Sequence, residues 1–158
     1  MSRLIHIAVD DSALPPPSPE MEQERRVAIF DLLEDNSFIL PPRDGVDLPT
    51  GPYALELAIR DGRLVFALDD EAGTHLGAFH LALGPLRQVI KDYAQICASY
   101  FEAVKSLPPA RIEAIDMARR GIHNEGATTL QERLSGKAEV DIDTARRLFT
   151  LVCAIVTG

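Results

Sequence analysis

The sequence predicts an α+β fold in which an antiparallel β-meander packs against a C-terminal group of helices. Three observations carry the prediction. Between Tyr53 and Leu83 apolar residues fall on alternate positions, the period of strands with one wet face. Turn signals at Asp61-Gly62 and over Asp69 to Gly73 cut that stretch into three strands of alternating direction. At Gly84-Pro85 the apolar period changes to about 3.6 and stays there. The 158 residues read as one domain, 1–158, strand-rich with one helix over 1–83 and helical over 84–158.

Taken in order, Ile5, Ile7 and Val9 alternate with His6 and Ala8 as a half-buried strand that Asp10-Asp11 ends. Leu14-Pro15-Pro16-Pro17-Ser18-Pro19 lacks the backbone donors for helix or central strand and crosses as an extended linker. Ser18 and Pro19 suit the N-cap and first turn of a helix running through Val27, Phe30 and Leu33 to Glu34, with Asn36 as its stop. Phe38-Ile39-Leu40 reads as a short strand, and the breaker-rich run from Pro41 to Pro52 as a long surface loop. After the meander, Leu86, Val89, Ile90, Tyr93, Ile96, Cys97, Tyr100, Phe101 and Val104 define a helix from Pro85 to Ser106, which Leu107-Pro108-Pro109 breaks. Ser135-Gly136-Lys137 is a loop, and Asp141 or Asp143 caps a last helix from Thr144 to about Val156. That helix is apolar nearly all round, which predicts enclosure by the domain or burial in a homodimer.

Composition narrows the function classes. Sixteen Lys+Arg against 24 Asp+Glu give a net charge of −8, which argues against a sequence-independent grip on nucleic acid. No run approaches the roughly 18 apolar residues of a membrane span, and the N-terminus lacks the pattern of a secretory signal, so a cytoplasmic protein is expected. Cys97 and Cys153 are too few for a disulfide framework and are expected as free thiols. Phosphate-loop, dinucleotide, zinc-protease and nucleophile-elbow motifs do not occur, so no cofactor or metal is expected. His75 and His80, at odd spacing on one strand, are expected on opposite sheet faces.

The stretch that gathers chemistry runs from Ile115 to Gly126, with Asp116, Arg119, Arg120, His123, Glu125 and two glycines. A continuous helix would put Asp116, Arg119 and His123 on one edge but would contain two interior glycines, each costing roughly 0.8–1 kcal/mol against alanine. The preferred reading ends a helix at Arg120, uses Gly121 as a left-handed C′ residue, leaves His123 in a turn and lets Asn124 cap a new helix. On that reading Gly121→Ala destabilises the fold by about 1 kcal/mol. Chemically, His123 with Glu125 suits a general base and its partner, and Arg119 and Arg120 suit an anion clamp. The structural reading, preferred over catalysis, pairs Asp116 with Arg120, uses the arginines to cap a helix end and lets His123 close a turn through backbone hydrogen bonds. Arg146-Arg147, early in the last helix where the dipole does not favour positive charge, suggests either a carboxylate partner, within the chain or on another one, or ordinary solvation, the preferred reading.

Beyond these local patterns, long segments of the chain have a familiar order. They are Val27-Ala28-Ile29-Phe30-Asp31-Leu32-Leu33-Glu34, Lys91-Asp92-Tyr93, Ile112-Glu113-Ala114-Ile115-Asp116-Met117, Arg119-Arg120-Gly121, His123-Asn124-Glu125-Gly126 and Asp143-Thr144-Ala145-Arg146-Arg147-Leu148-Phe149-Thr150-Leu151. Together they resemble a numbered, uncharacterised protein family found mainly in alphaproteobacteria. The resemblance implies a bacterial, cytoplasmic setting and carries over no catalytic residue. Two function classes follow from the residues themselves. The first is a non-enzymatic binding or protein-interaction module whose partner is a protein or a small anionic ligand. The second is a small hydrolase or lyase acting on an anionic metabolite, with His123 as general base. A deep pocket at His123 favours the enzyme and a flat surface the module.

Overall fold

The structure, a computed structural model, describes residues 2–156; Met1, Thr157 and Gly158, the extreme ends of the domain read from the sequence, lie outside the described residues. The fold is α+β, with the order β1 (Leu4–Asp10), α1 (Pro19–Glu34), β2 (Tyr53–Arg60), β3 (Arg63–Asp70), β4 (His75–Ala82), α2 (Gly84–Ser106), α3 (Pro109–Leu134) and α4 (Ile142–Val156). The sheet order is β1-β2-β3-β4. β2, β3 and β4 form the expected antiparallel meander, and the β2–β3 turn uses positive φ at both Asp61 (53°) and Gly62 (73°), the geometry a two-residue hairpin needs.

The expectation of a purely antiparallel sheet is corrected by β1, which pairs parallel to β2 with Ile7 opposite Leu55 and Val9 opposite Leu57. Alternation reports which residues face the core but not strand direction. Direction is set by the connection, and the long passage through α1 allows a parallel crossover that a hairpin forbids. Two smaller expectations also change. Phe38 to Leu40 is not a strand, because only Ile39 bridges, to Glu139. A register shift at Leu68/Asp69 puts His75 beside Asp69 (3.1 Å), while His80 lies opposite Val65 with its Nε2 3.3 Å from Arg63, and both imidazoles are exposed. His75 joins His6, Ala54, Glu56 and Ala67 on the sheet face away from the core, so the irregularity has reset the alternation that predicted opposite faces.

One core holds the layers together. Leu55, Leu57, Leu64, Phe66, Leu68, Phe79 and Leu81 from the sheet join Leu86 and Ile90 of α2, Leu130 and Leu134 of α3, and Leu148, Phe149, Leu151 and Val152 of α4. From Leu148 to Ile155, α4 is buried except at Thr150, with α1 on one side and α3 on another. A single chain therefore supplies the cover that an all-round apolar helix requires, and the argument for a second subunit loses its premise.

The end of α1 is fastened from three directions. Asn36, nearly buried, accepts from Leu4 N (2.7 Å) and donates through Nδ2 to Leu4 O (3.0 Å) and Leu32 O (2.9 Å). Arg3 donates to Leu33 O, and Arg147 donates to Asp35 O (3.0 Å). These donors satisfy carbonyls that a helix C-terminus leaves open, in a helix whose last turn has no basic residue of its own. Arg147 thus finds a backbone carbonyl, neither the carboxylate nor the plain solvation that its position suggested, whereas Arg146 does pair with Asp143 (2.8 Å).

The largest local correction concerns α3, which is one helix from Pro109 to Leu134. Gly121 does not have positive φ and does not end a helix, His123 lies in no turn, and Asn124 caps nothing. Two interior glycines cost about 2 kcal/mol against alanine. Full burial of Leu130 and Leu134, each contributing roughly 1.5–3 kcal/mol, and close packing at Gly126 outweigh that cost.

Candidate functional site

Continuity of α3 creates the site. Asp116, Arg119, Arg120 and His123 fall at i, i+3, i+4 and i+7, and Tyr93 and Tyr100 of α2 and Arg146 and Thr150 of α4 meet them from the neighbouring helices. A cleft of about 350 Å³ is lined by Tyr93, Arg119, Arg120, His123, Asn124 and Arg146. Its lining has three guanidiniums and no carboxylate, in a chain of net charge −8.

Each guanidinium is held from behind. Asp116 Oδ1 accepts from Arg119 Nε (3.0 Å) and from a terminal nitrogen of the same side chain, while Asp116 Oδ2 takes Arg120 (2.9 Å). The Arg119 guanidinium also stacks over Tyr100, 4.9 Å from the ring centre. Arg146 gives Nε to Asn124 Oδ1 (3.0 Å) and one terminal nitrogen to Asp143 (2.8 Å). Every arginine has five N–H donors, so donors remain for a ligand after these contacts. Hydrogen bonding to Arg119 and the charges of both arginines hold the Asp116 carboxyl below its ordinary range, and Asp116 raises Arg119 in return.

His123 sits between rings. Its imidazole is 5.1 Å from Tyr93 and 5.3 Å from Phe149, and its Nε2 is 2.8 Å from Thr150 Oγ1. Thr150 Oγ1 also bonds Arg146 O at 3.2 Å. A carbonyl has no proton to give, so the single hydroxyl proton goes to Arg146 O and Thr150 accepts from His123. His123 therefore carries its proton on Nε2, which leaves Nδ1 with a free lone pair. Burial, then the charges of Arg146 and Arg119, push its pKa below the ordinary 6.5. Burial pushes the Tyr93 hydroxyl up to about 12, so it remains protonated near neutrality.

A pH prediction follows for His123. A folded-state pKa below the unfolded value means the unfolded chain binds more protons as pH falls. The stability contribution is complete above pH about 6.5 and is lost as pH falls through the lower folded pKa. The thermal midpoint of the wild type should fall between pH 7 and 5, and that slope should be shallower in His123→Phe. Equal slopes would show that His123 is not the group responsible.

Of the residues singled out in sequence, the cleft gathers Arg119, Arg120 and His123 but not Glu125. Glu125 is two positions past His123, roughly 200° around the helix, and exposed. Its backbone carbonyl accepts from Thr129 Oγ1 (2.9 Å), and no Glu125–His123 contact forms. Thr150 and Tyr93 were missed. Thr150 is the one hydroxyl inside the apolar run of α4, a signal that could have found it, whereas Tyr93 is hidden in the core-facing period of α2. Among the described residues no group of three or more His, Cys, Asp or Glu is placed to hold a metal, Cys97 and Cys153 form no disulfide, and no helix is long and apolar enough to cross a membrane.

Comparison with known proteins places these residues in a family. Residues 1–157 match the model of the uncharacterised protein family UPF0262. A UPF0262 protein of Paracoccus denitrificans is 73% identical over 157 residues, covering 99% of this chain and 97% of that protein. Those of Dinoroseobacter shibae and Roseobacter denitrificans are 69% and 67% identical over 158 residues, each covering 100% of this chain and 99% of the relative. These relatives are all from alphaproteobacteria. No solved structure matches the chain significantly. With the match running through the sheet, the helices and the arginine-lined cleft, the chain belongs to the UPF0262 family.

Proposed function

We propose that this chain is a cytoplasmic, non-enzymatic module that binds a small anionic ligand in the cleft between α2, α3 and α4. The observation carrying the reading is the lining itself: Arg119, Arg120 and Arg146 converge without a carboxylate among them, although the chain is acidic. A cluster of like charges is unfavourable unless something neutralises it, and Asp116 and Asp143 do so from one side only. Guanidinium forks match carboxylate and phosphate oxygens, and Asp116 and Asn124 fix two of those forks before a ligand arrives. Binding is favoured over catalysis because His123 lacks the acidic partner that would orient it as a base and is hydrogen-bonded to a threonine instead.

The test is calorimetric titration with inorganic phosphate and with small dicarboxylates, at low and high salt. Binding should weaken with salt, and Arg120→Gln combined with Arg146→Gln should weaken it at least about tenfold, since each charged hydrogen bond is worth about 1.5–3 kcal/mol. No binding by any anion would reject the site, and chemical turnover of a bound anion would reject the non-enzymatic reading.

A further inference from the structure

We infer that the cleft selects anions carrying a hydroxyl donor beside the charged group, and that His123 Nδ1 is the selecting acceptor. The inference rests on the anion-binding reading and adds the chemistry of the neighbouring ligand group. It starts from the hydrogen-bond chain Arg146 O, Thr150 Oγ1, His123 Nε2 (3.2 and 2.8 Å), which has one consistent proton arrangement and leaves Nδ1 as an acceptor. No hydrogen bond to Nδ1 occurs among the described residues, and the ring it belongs to lines the cleft.

Apart from the Tyr93 hydroxyl, which can donate or accept, the rest of the lining offers donors. Arg119, Arg120 and Arg146 have N–H groups in excess of their internal partners, and Asn124, its Oδ1 occupied by Arg146, has its amide donor left. An anion with acceptor oxygens alone would satisfy those donors and set its lone pairs against the lone pair of Nδ1. A ligand with a hydroxyl next to its charge satisfies both kinds of group, as 2-hydroxy acids and hydroxyl-bearing phosphate esters do. Protonating the imidazole would relieve the same conflict, but Tyr93 from α2, Arg119 from α3 and Arg146 from α4 surround it with no carboxylate contact, and burial also favours the neutral ring. Sites built to receive a ligand hydroxyl discriminate strongly against analogues that lack it.

Two matched pairs separate the sources of such a ligand. Malate and succinate differ by one hydroxyl on a dicarboxylate, and glycerol 3-phosphate and propyl phosphate differ by hydroxyls on a phosphate ester. Isothermal titration at pH 7.5 should show the hydroxylated member of at least one pair binding about tenfold or more tightly, without proton uptake when buffers of different ionisation enthalpy are compared. His123→Phe, which keeps an aromatic ring between Tyr93 and Phe149, should reduce that preference to within about twofold, and Thr150→Val, which frees the tautomer, should weaken it. Equal affinity within both pairs overturns the selection while leaving the anion site standing, as does uptake of a proton on binding. Absence of binding by all four compounds, with inorganic phosphate still bound, overturns the selection alone. If inorganic phosphate also fails to bind, both readings fall.

Discussion

Gly126→Ala should lower stability by about 3 kcal/mol or more, or roughly 6–12 °C in thermal midpoint for a chain of this size. An alanine Cβ at Gly126 would lie well inside 3.0 Å of three carbons of the Phe149 ring, Cζ, Cε1 and Cε2. That ring cannot yield easily, since Phe149 is fully buried and packed edge-on against Tyr93 (5.9 Å) and His123 (5.3 Å). The helix-propensity gain of about 1 kcal/mol opposes the clash and is too small to offset it. Gly121→Ala, one and a half turns earlier, should act in the opposite direction. Its Cβ would meet nothing within 4 Å on an exposed helical surface, so the gain of up to about 1 kcal/mol stands alone. Urea unfolding of the two variants checks both signs, and a stable Gly126→Ala would show that α3 and α4 do not pack as described. Because Phe149 supports both rings flanking the cleft, Gly126→Ala should also weaken anion binding, whereas Gly121→Ala should not.

The reversed sign at Gly121 shows how far local reasoning reached. The hairpin, the helix caps and the change of period at Gly84-Pro85 depend on neighbours in sequence, and there the residues specify the structure directly. Ser18 does cap α1 by accepting from Met21 N (3.2 Å), and Asp61-Gly62 does turn the hairpin. The glycines of α3 were different. Local propensity prefers to end a helix at Arg119-Arg120-Gly121, and only the presence of Phe149, 23 residues beyond Gly126, explains why the second glycine belongs inside one. Parallel pairing of β1 is the same kind of fact, since it depends on where α1 returns the chain. For the site, Arg119, Arg120 and His123 were legible as charged and titratable residues crowded into one short stretch, whereas the edge they share comes from the continuous helix, the reading that was not preferred. Glu125 looked like a partner through adjacency in sequence, which on a helix separates side chains.

Asn36→Ala should be comparably severe, with a loss of about 3 kcal/mol or roughly 6–12 °C, and for a reason unrelated to volume. Asn36 is 9% exposed and links Leu4 N, Leu4 O and Leu32 O, joining the start of β1 to the end of α1. Removal of its side chain leaves those three groups without a partner, at about 1–3 kcal/mol for each that water cannot reach. Asn36→Asp separates this account from simple loss of packing. Aspartate keeps the acceptor for Leu4 N but turns a carboxylate oxygen toward two carbonyl oxygens, which raises the folded-state pKa of the new carboxyl above its unfolded value. Such a group stabilises the folded chain when protonated, an effect complete below the unfolded pKa of about 3.9 and lost as pH rises through the folded one. The deficit of Asn36→Asp relative to wild type should therefore narrow from pH 7 to pH 4, while that of Asn36→Ala should stay constant. Calorimetric melts across that range measure both. A pH-independent deficit in Asn36→Asp, or an Asn36→Ala protein within about 1 kcal/mol of wild type, would mean that solvent or a shifted backbone satisfies the three groups and that the β1–α1 joint is looser than these hydrogen bonds imply.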